Sequence, residues 1–472
     1  MLLSACEDSI RDQAQLRLGI ALEPPNLDPT SGAAAAIDEV VYANLFEGLT
    51  RIDNSGAVRP GLARSWTVSA DGLRYDFTLI TGALFHNGVP FTADIAKFAL
   101  ERITAPGSTN AQQQLFAHVA AIDVLGPHAL RITLDQPVPE FLFNLGWGDA
   151  VMVEPSTAAS NAAHPVGTGP YQFGRWQTGT AITLQRFEAY WGRRAAFDQV
   201  VFKLISDAGA SYGAIMAGDV DGIANFGAVE LLPQIKRTGR FNVLEGMTEG
   251  ETVLAMNNAR PPFDDLRVRQ AIAHAIDRQA LIDAVLFGYG VPIGSFFSPL
   301  DPDYINLTGE TPFDVAKARR LLAQAGYADG FETTLVLPPT GYARRGGKVI
   351  ASQLRRIGIT AKLQNIEWAQ WLDRVLQNKS YDMTIVSHTE PDDIGFFARP
   401  DNYFNYHNTA FNTAVQQRDF AAAQQLLARD VPAAFLFQLP QVGVWRKELS
   451  GQWVNAPVQA NDVTQMRWMA PL

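Results

Sequence analysis

Phe331-Glu332-Thr333-Thr334-Leu335-Val336-Leu337 reads as a strand, the segment from Arg345 to Ile357 repeats its apolar residues with helical period, and Ile359-Thr360-Ala361-Lys362-Leu363 reads as a second strand. Gly358 closes the helical segment, where a left-handed residue is needed to end a helix. Strand, helix and strand in that order predict two parallel strands joined by a right-handed crossover. The class is therefore α/β, not all-β and not a helical bundle.

The same two periods recur on both sides of this unit. Pro312 to Ala325 is helical and stops at Gly326, Leu266 to Leu286 reads as one helix, and Tyr381-Asp382-Met383-Thr384-Ile385-Val386 reads as a strand. Toward the amino terminus, Gln15-Leu16-Arg17-Leu18-Gly19-Ile20-Ala21 alternates polar and apolar residues and ends at the Pro24-Pro25 turn. Ile37 to Phe46 reads as a helix, Asp71-Gly72 as a turn into the strand Leu73 to Leu79, and Thr92 as the N-cap of a helix through Arg102. No internal repeat or low-complexity tract interrupts the pattern.

The chain has 472 residues, enough for roughly two or three domains, and 47% of them are hydrophobic, as in a globular core. Against 48 Asp and Glu stand 38 Lys and Arg, a net charge of −10, whereas a phosphate backbone rewards the opposite balance. Nucleic acid is excluded as a partner, and a small molecule or peptide is expected. No run of about 18 apolar residues is present, as a membrane-spanning helix would need. Aromatic residues make up 10% of the chain, and some are expected in the lining of a concave ligand site.

Several motifs are more specific. They are Leu62-Ala63-Arg64-Ser65-Trp66, then Ser69-Ala70-Asp71-Gly72-Leu73, then Phe85-His86-Asn87-Gly88-Val89-Pro90-Phe91-Thr92-Ala93-Asp94-Ile95. In order with them come Asn44-Leu45-Phe46-Glu47-Gly48-Leu49, Pro165-Val166-Gly167-Thr168-Gly169-Pro170-Tyr171, Tyr190-Trp191, Phe263 to Ile272 with Ala275-Ile276-Asp277-Arg278, and Ala325-Gly326-Tyr327. Taken alone, Gly167 to Tyr171 is a tight bend entering a strand, and with no Lys-Ser/Thr after it a P-loop is ruled out. Asp264 and Asp265 supply negative charge beside Arg267 and Arg269, which stand at the unfavourable end of a helix dipole. Together the motifs resemble the solute-binding proteins of peptide/nickel-type ABC importers, over nearly the whole chain.

The resemblance implies a two-lobed periplasmic binding protein fold that closes on its ligand by a hinge, with an extra subdomain on the first lobe. Residues 1–14 would be a lipoprotein-like tether, residues 15–49, 164–254 and 446–472 lobe I, residues 50–163 its inserted subdomain, and residues 255–445 lobe II. It implies a periplasmic monomer without catalysis or cofactor, and no dedicated metal site is expected, with binding of a nickel chelate as a minor alternative. Such a monomer captures a peptide-like, opine-like or other amine- or hydroxyl-bearing solute and delivers it to an ABC permease in the inner membrane.

The richest polar cluster is Ser387-His388-Thr389-Glu390-Pro391-Asp392-Asp393, directly after a strand, where α/β proteins bind ligands. In peptide-binding relatives this strand end carries Gly-Trp-x-x-Asp, whose aspartate holds the ligand's α-amine. Counted forward from Glu367-Trp368, that position is Glu390, whereas Val386 and Ser387 replace the Gly and Trp. The arginine that dipeptide binders use for the ligand carboxylate falls near Leu337, and none stands there, so a plain dipeptide is not expected. A buried carboxylate needs a partner, which a ligand ammonium or guanidinium supplies, whereas a surface salt bridge is the alternative role for Glu390. His388, Thr389 and Asp392 are further candidates for the ligand. His388 also reads as a structural histidine, and Asp392 with Asp393 as a cap for the turn at Ile394-Gly395-Phe396-Phe397. Trp147 between glycines, Tyr289 in Gly288-Tyr289-Gly290, Phe297 and Asn257 complete the candidate set, with core packing as the other role of the aromatics.

Seven histidines show no paired metal-ligand spacing, and neither a Gly-x-Ser-x-Gly elbow nor a Cys-His arrangement is present. A hydrolase reading thus lacks a positive sign, and a non-transport sensor or chaperone on the same fold is the other rival. The one cysteine, Cys6, excludes disulfides within the chain. It follows Leu3-Ser4-Ala5 as in a bacterial lipoprotein box, and the polar run from Glu7 to Gln13 suits a tether behind a lipid anchor. Signal cleavage would require a positive and then an apolar region ahead of Cys6, which Met1 to Ala5 do not supply.

Overall fold

In the computed structural model, which describes residues 14–31, 34–301, 303–389 and 393–469, Phe331–Leu337 and Ile359–Asn365 pair in parallel, from Phe331 opposite Ile359 to Leu337 opposite Asn365. The helix Gly341–Arg355 connects them. Cys6, Glu390 and Asp392 lie outside the described residues. The chain divides into two compact units, residues 1–244 with 441–472 and residues 245–440, and passes between them twice.

In the second unit the strands lie in the order Ile359–Asn365, Phe331–Leu337, Met383–His388, Phe241–Met256. Met383–His388 runs parallel to Phe331–Leu337 and antiparallel to Phe241–Met256. Leu335, Leu337, Leu254 and Ile385 are buried in one apolar cluster, while Val336, Val253 and Val386 are buried in another. With both faces covered, the strand sequences become continuous apolar runs, as Leu335-Val336-Leu337 does.

In the first unit Gln15–Ile20 pairs in parallel with Gln199–Leu204 and with Gly222–Ile223. Ala181–Arg186 and Tyr171–Gln177 extend that sheet antiparallel, and Val444 and Trp445 pair with Ile223 and Gly222 on its other side. A separate four-stranded antiparallel sheet is formed by Ala63–Val68, Arg74–Leu79, Ala129–Leu134 and Val119–Gly126. The helix Ala93–Thr104 packs on this sheet. Thr92 holds the N-cap position as expected but makes no side-chain cap bond.

Three sequence expectations change. The helix expected over 266–286 is two helices, Leu266–Ala275 and Arg278–Leu286, because Asp277 caps a new start by accepting the Ala280 amide at 3.0 Å. Asp265 and Arg267 do form the local cap pair, at 2.8 Å to the amide. Arg269 turns away from the acids and donates instead to the carbonyls of Phe263, Asp264, Asp430 and Val431.

The third change concerns residues 37–46, where the helix covers only Ala35–Val41. Beyond it the backbone of Asn44 and Leu45 is taken by the Gly167–Tyr171 loop: Tyr171 donates to Asn44 O at 3.0 Å and Gly169 to Leu45 O at 2.9 Å. A Cβ on Gly167 would stand 2.0 Å from Leu45 O, and one on Gly169 2.5 Å from Asn44 O. These glycines therefore serve close backbone approach. His86 holds the same loop, accepting the Gly167 amide through Nδ1 at 3.1 Å and donating from Nε2 to Gly169 O at 3.1 Å. Glu47 completes it, accepting from Thr168, Tyr190 and Trp191 at 2.8–3.0 Å, so motifs far apart in sequence are one hydrogen-bonded joint.

Candidate functional site

The carboxyl ends of the parallel strands Phe331–Leu337 and Met383–His388 emerge on the same edge of the second unit's sheet. The neighbouring antiparallel strand brings its Thr248–Thr252 portion to that edge, with Glu251 opposite His388 and Thr252 opposite Ser387. Side chains two apart on a strand share a face, so Glu249, Glu251 and His388 stand together. Sequence reasoning missed Glu249 and Glu251. The available signal was two acids in alternation at the head of the apolar run Val253-Leu254-Ala255-Met256.

His388 is 9% exposed and meets Tyr403 OH through Nε2 at 2.8 Å. Its ring lies parallel to Tyr403 and edge-on to Phe296 at 5.2 Å, with Phe396 and Phe404 also in contact. Thr389 follows it, half-buried, and the helical turn Asp393–Ala398 comes next in the described chain. Phe297 is half-buried and tilts onto Phe420 at 5.5 Å.

Burial pushes the Glu249 carboxyl up to about 7. The nearby Asp301 charge adds to this, while a hydrogen bond to Ser298 opposes it. Gln438, 0% exposed, donates toward Thr248 O and Ser298 Oγ, and its Oε1 has no partner among the described residues. The Ser387 amide donates to Tyr342 OH at 3.1 Å, and the hydroxyls of Ser387 and Thr252 are buried without partners among the described residues. Carboxyl, hydroxyl and amide groups beside an aromatic wall can hold a polar organic molecule by hydrogen bonds and by charge. Among the described residues no three His, Cys, Asp or Glu side chains gather as a metal site, and no helix is long and apolar enough to cross a membrane.

Three sequence candidates stand elsewhere. Asn257 lies just beyond Met256, which pairs with Met383, so it sits at the opposite end of the six-residue strand from His388. That separation is about 17 Å. Its amide braces Lys379 O at 2.9 Å and Tyr381 O at 3.2 Å, and its Oδ1 accepts from Asn405. Trp147 is buried in the first unit with Tyr42, Ile52, Trp453 and Val458, the core role rather than an exposed lining. Tyr289 is half-buried in the turn after Arg278–Leu286, where its amide donates to Leu286 O at 3.0 Å.

The family model described as "Bacterial extracellular solute-binding proteins, family 5 Middle" matches residues 57–414. The glutathione-binding protein GsiB of Salmonella choleraesuis is 30% identical over 353 residues, covering 73% of this chain and 68% of that one. The PBP AgaA in complex with agropinic acid, from A. tumefaciens R10, superposes with a TM-score of 0.84 at 24% identity over 97% of this chain and 99% of its own. A dipeptide binding protein from Pseudoalteromonas sp. SM9913 in complex with Met-Leu gives a TM-score of 0.86 at 22% identity over 96% and 100%. At these identities the two structures establish the shared periplasmic binding protein fold.

Proposed function

Because this chain belongs to the bacterial extracellular solute-binding proteins of family 5, we propose that it captures a small organic solute on the polar strand-end face of its second unit. The solute is peptide-like, opine-like or otherwise amine- or hydroxyl-bearing. The protein works in the periplasm as a monomer, delivers the solute to an ABC permease in the inner membrane, and does not transform it. The observation that carries this reading is the convergence of Glu249, Glu251, His388 and Thr389 at one sheet edge, beside the aromatic wall of Phe296, Phe396 and Tyr403. Glu390 and Asp392 follow Thr389 in sequence and are included as candidates for the same solute. A solute ammonium can pair with the half-buried Glu249 carboxylate. Cys6 carries the lipid that tethers the chain, as the preceding Leu3-Ser4-Ala5 suggests.

The relatives' solutes set the panel: glutathione, Met-Leu and agropinic acid, with other opines and dipeptides beside them. Native mass spectrometry is expected to find one of them bound one to one, and the same compound to raise the melting temperature by mass action. The complex should release its solute unchanged. Failure of every panel member to bind, or release of a modified compound, would overturn the proposal. For the tether, Cys6→Ser should abolish incorporation of labelled fatty acid in cells; persistence of the label would assign the lipid elsewhere.

A further inference from the structure

Residues 315–328 and 333–366 hold nine Lys and Arg and no Asp or Glu, in a chain whose net charge is −10. Most of these cations stand on two helices of the second unit, Val315–Gln324 and Gly341–Arg355. Two of the nine are neutralised by acids outside the runs, Arg344 by Glu367 and Lys362 by Glu332. Arg319, Arg320, Lys348, Arg355 and Arg356 are exposed and make no ion pair among the described residues.

Contact between the two helices gathers these charges on one face. Arg319 donates to the Arg356 carbonyl from Nε at 3.0 Å and from Nη2 at 2.6 Å. The Arg356 guanidinium lies 5.3 Å from the ring centre of Phe313, which is itself 40% exposed. Arg320 and Arg355 adjoin that contact in sequence. The negative end of the helix Gly341–Arg355 favours Arg355 and Arg356. The same effect disfavours Lys317, Arg319 and Arg320, which stand in the first two turns of Val315–Gln324, and Asp314, the cap of that helix, offsets one charge of the three. Local helix electrostatics therefore do not account for the cluster.

The face is also remote from the solute groups. Arg356 lies just before Ile359, where the edge strand Ile359–Asn365 begins. The candidate solute groups gather beyond the other end of that strand pair, about 20 Å away.

We infer that this basic face docks on a surface of anionic phospholipid headgroups. Such a partner requires no cavity: a plane of phosphates meets a cluster of guanidiniums, each able to take two phosphate oxygens in parallel hydrogen bonds. Phe313 beside Arg356 supplies an apolar group that can enter at headgroup depth. The acidic remainder of the chain does not cancel the attraction, because its field is screened beyond about 8 Å at physiological salt. The face acts through its own charges and does not require the lipid proposed for Cys6.

The test uses the full chain carrying Cys6→Ser, which cannot be lipidated at that position, and co-sedimentation with vesicles of phosphatidylcholine alone or mixed with phosphatidylglycerol. The chain should sediment with the mixed vesicles and not with the neutral ones, and added salt should release it. Arg320 and Arg355 make no side-chain hydrogen bond among the described residues. Arg320→Glu with Arg355→Glu should therefore keep the melting temperature while partition falls about tenfold or more. Arg320→Gln with Arg355→Gln should fall between that variant and the wild type. Arg64→Glu with Arg74→Glu puts the same charge change on exposed positions of the first unit, and partition should stay within about twofold. Equal binding to neutral vesicles, no binding to either kind, or an equal loss in both charge reversals would overturn the proposal. Retention on immobilised polyglutamate without vesicle binding would assign the face to an acidic protein and overturn it as well.

Discussion

His86 accepts the amide hydrogen of Gly167 through Nδ1 at 3.1 Å, which fixes its proton on Nε2, the atom that donates to Gly169. The ring must therefore stay neutral to hold the loop, and burial pushes its pKa down to about 4. The unfolded chain binds a proton near pH 6.5 that the folded chain refuses until about pH 4. Stability contributed by the neutral ring is complete above pH 6.5 and falls as pH drops toward 4, by about 1.4 kcal/mol per unit at most. Urea titrations between pH 7 and pH 4.5 should show a shallower acid loss in His86→Gln; parallel slopes would contradict a neutral, buried His86.

Gly167→Ala places a Cβ against the Leu45 carbonyl, with backbone on both sides of the clash. The joint between the two segments must then open. A loss of about 3 kcal/mol or more is expected, seen as a lower melting temperature with intact secondary structure in what remains folded. A wild-type melting temperature would mean that the loop has another way to seat.

Glu249 titrates in the opposite sense to His86. Its folded pKa of about 7 lies above the unfolded value near 4.5, so it takes up protons on folding. Stability tied to the protonated form is present below pH 4.5 and is lost as pH rises through 7, by about 2 kcal/mol once solvent screening is allowed for. Glu249→Gln should therefore unfold at higher denaturant than the wild type at pH 8 and close to it at pH 4.5. Equal differences at both pH values would refute the raised pKa.

Asn257→Ala separates bracing from ligand contact. Loss of the bonds to Lys379 O and Tyr381 O leaves buried carbonyls unpaired and should cost about 2 kcal/mol. The dissociation constant of a panel solute should stay within about twofold, since Asn257 lies at the far end of the strand from His388. A tenfold loss of affinity with little loss of stability would return Asn257 to the site.

Elements whose cause is local were readable in sequence. Phe331–Leu337 and its parallel partner, the turn at Gly72 and the Asp265 cap follow from period, from positive φ and from a side chain bonding its own backbone. The break at Asp277 carried its own signal, an N-cap residue inside a helical run, but was outweighed by the apolar period on both sides. His388 and Thr389 were legible because they follow a strand whose end is fixed by its apolar run. Glu249 and Glu251 were not, because their place beside His388 depends on the register of an antiparallel pair whose strands are about 130 residues apart.

By itself, the sequence determined the α/β class, the family motifs and the presence of a polar strand end, since each rests on residues close in the chain. Tertiary structure alone decided that Gly167 and Gly169 are required by the carbonyls of Asn44 and Leu45, and that Trp147 is core. It also carried Arg269 and Arg278 to backbone carbonyls distant in sequence. A charged side chain has no partner written into its own segment. Which donors are satisfied, and which remain open to a ligand, is settled only when distant strands and helices are brought within hydrogen-bonding distance.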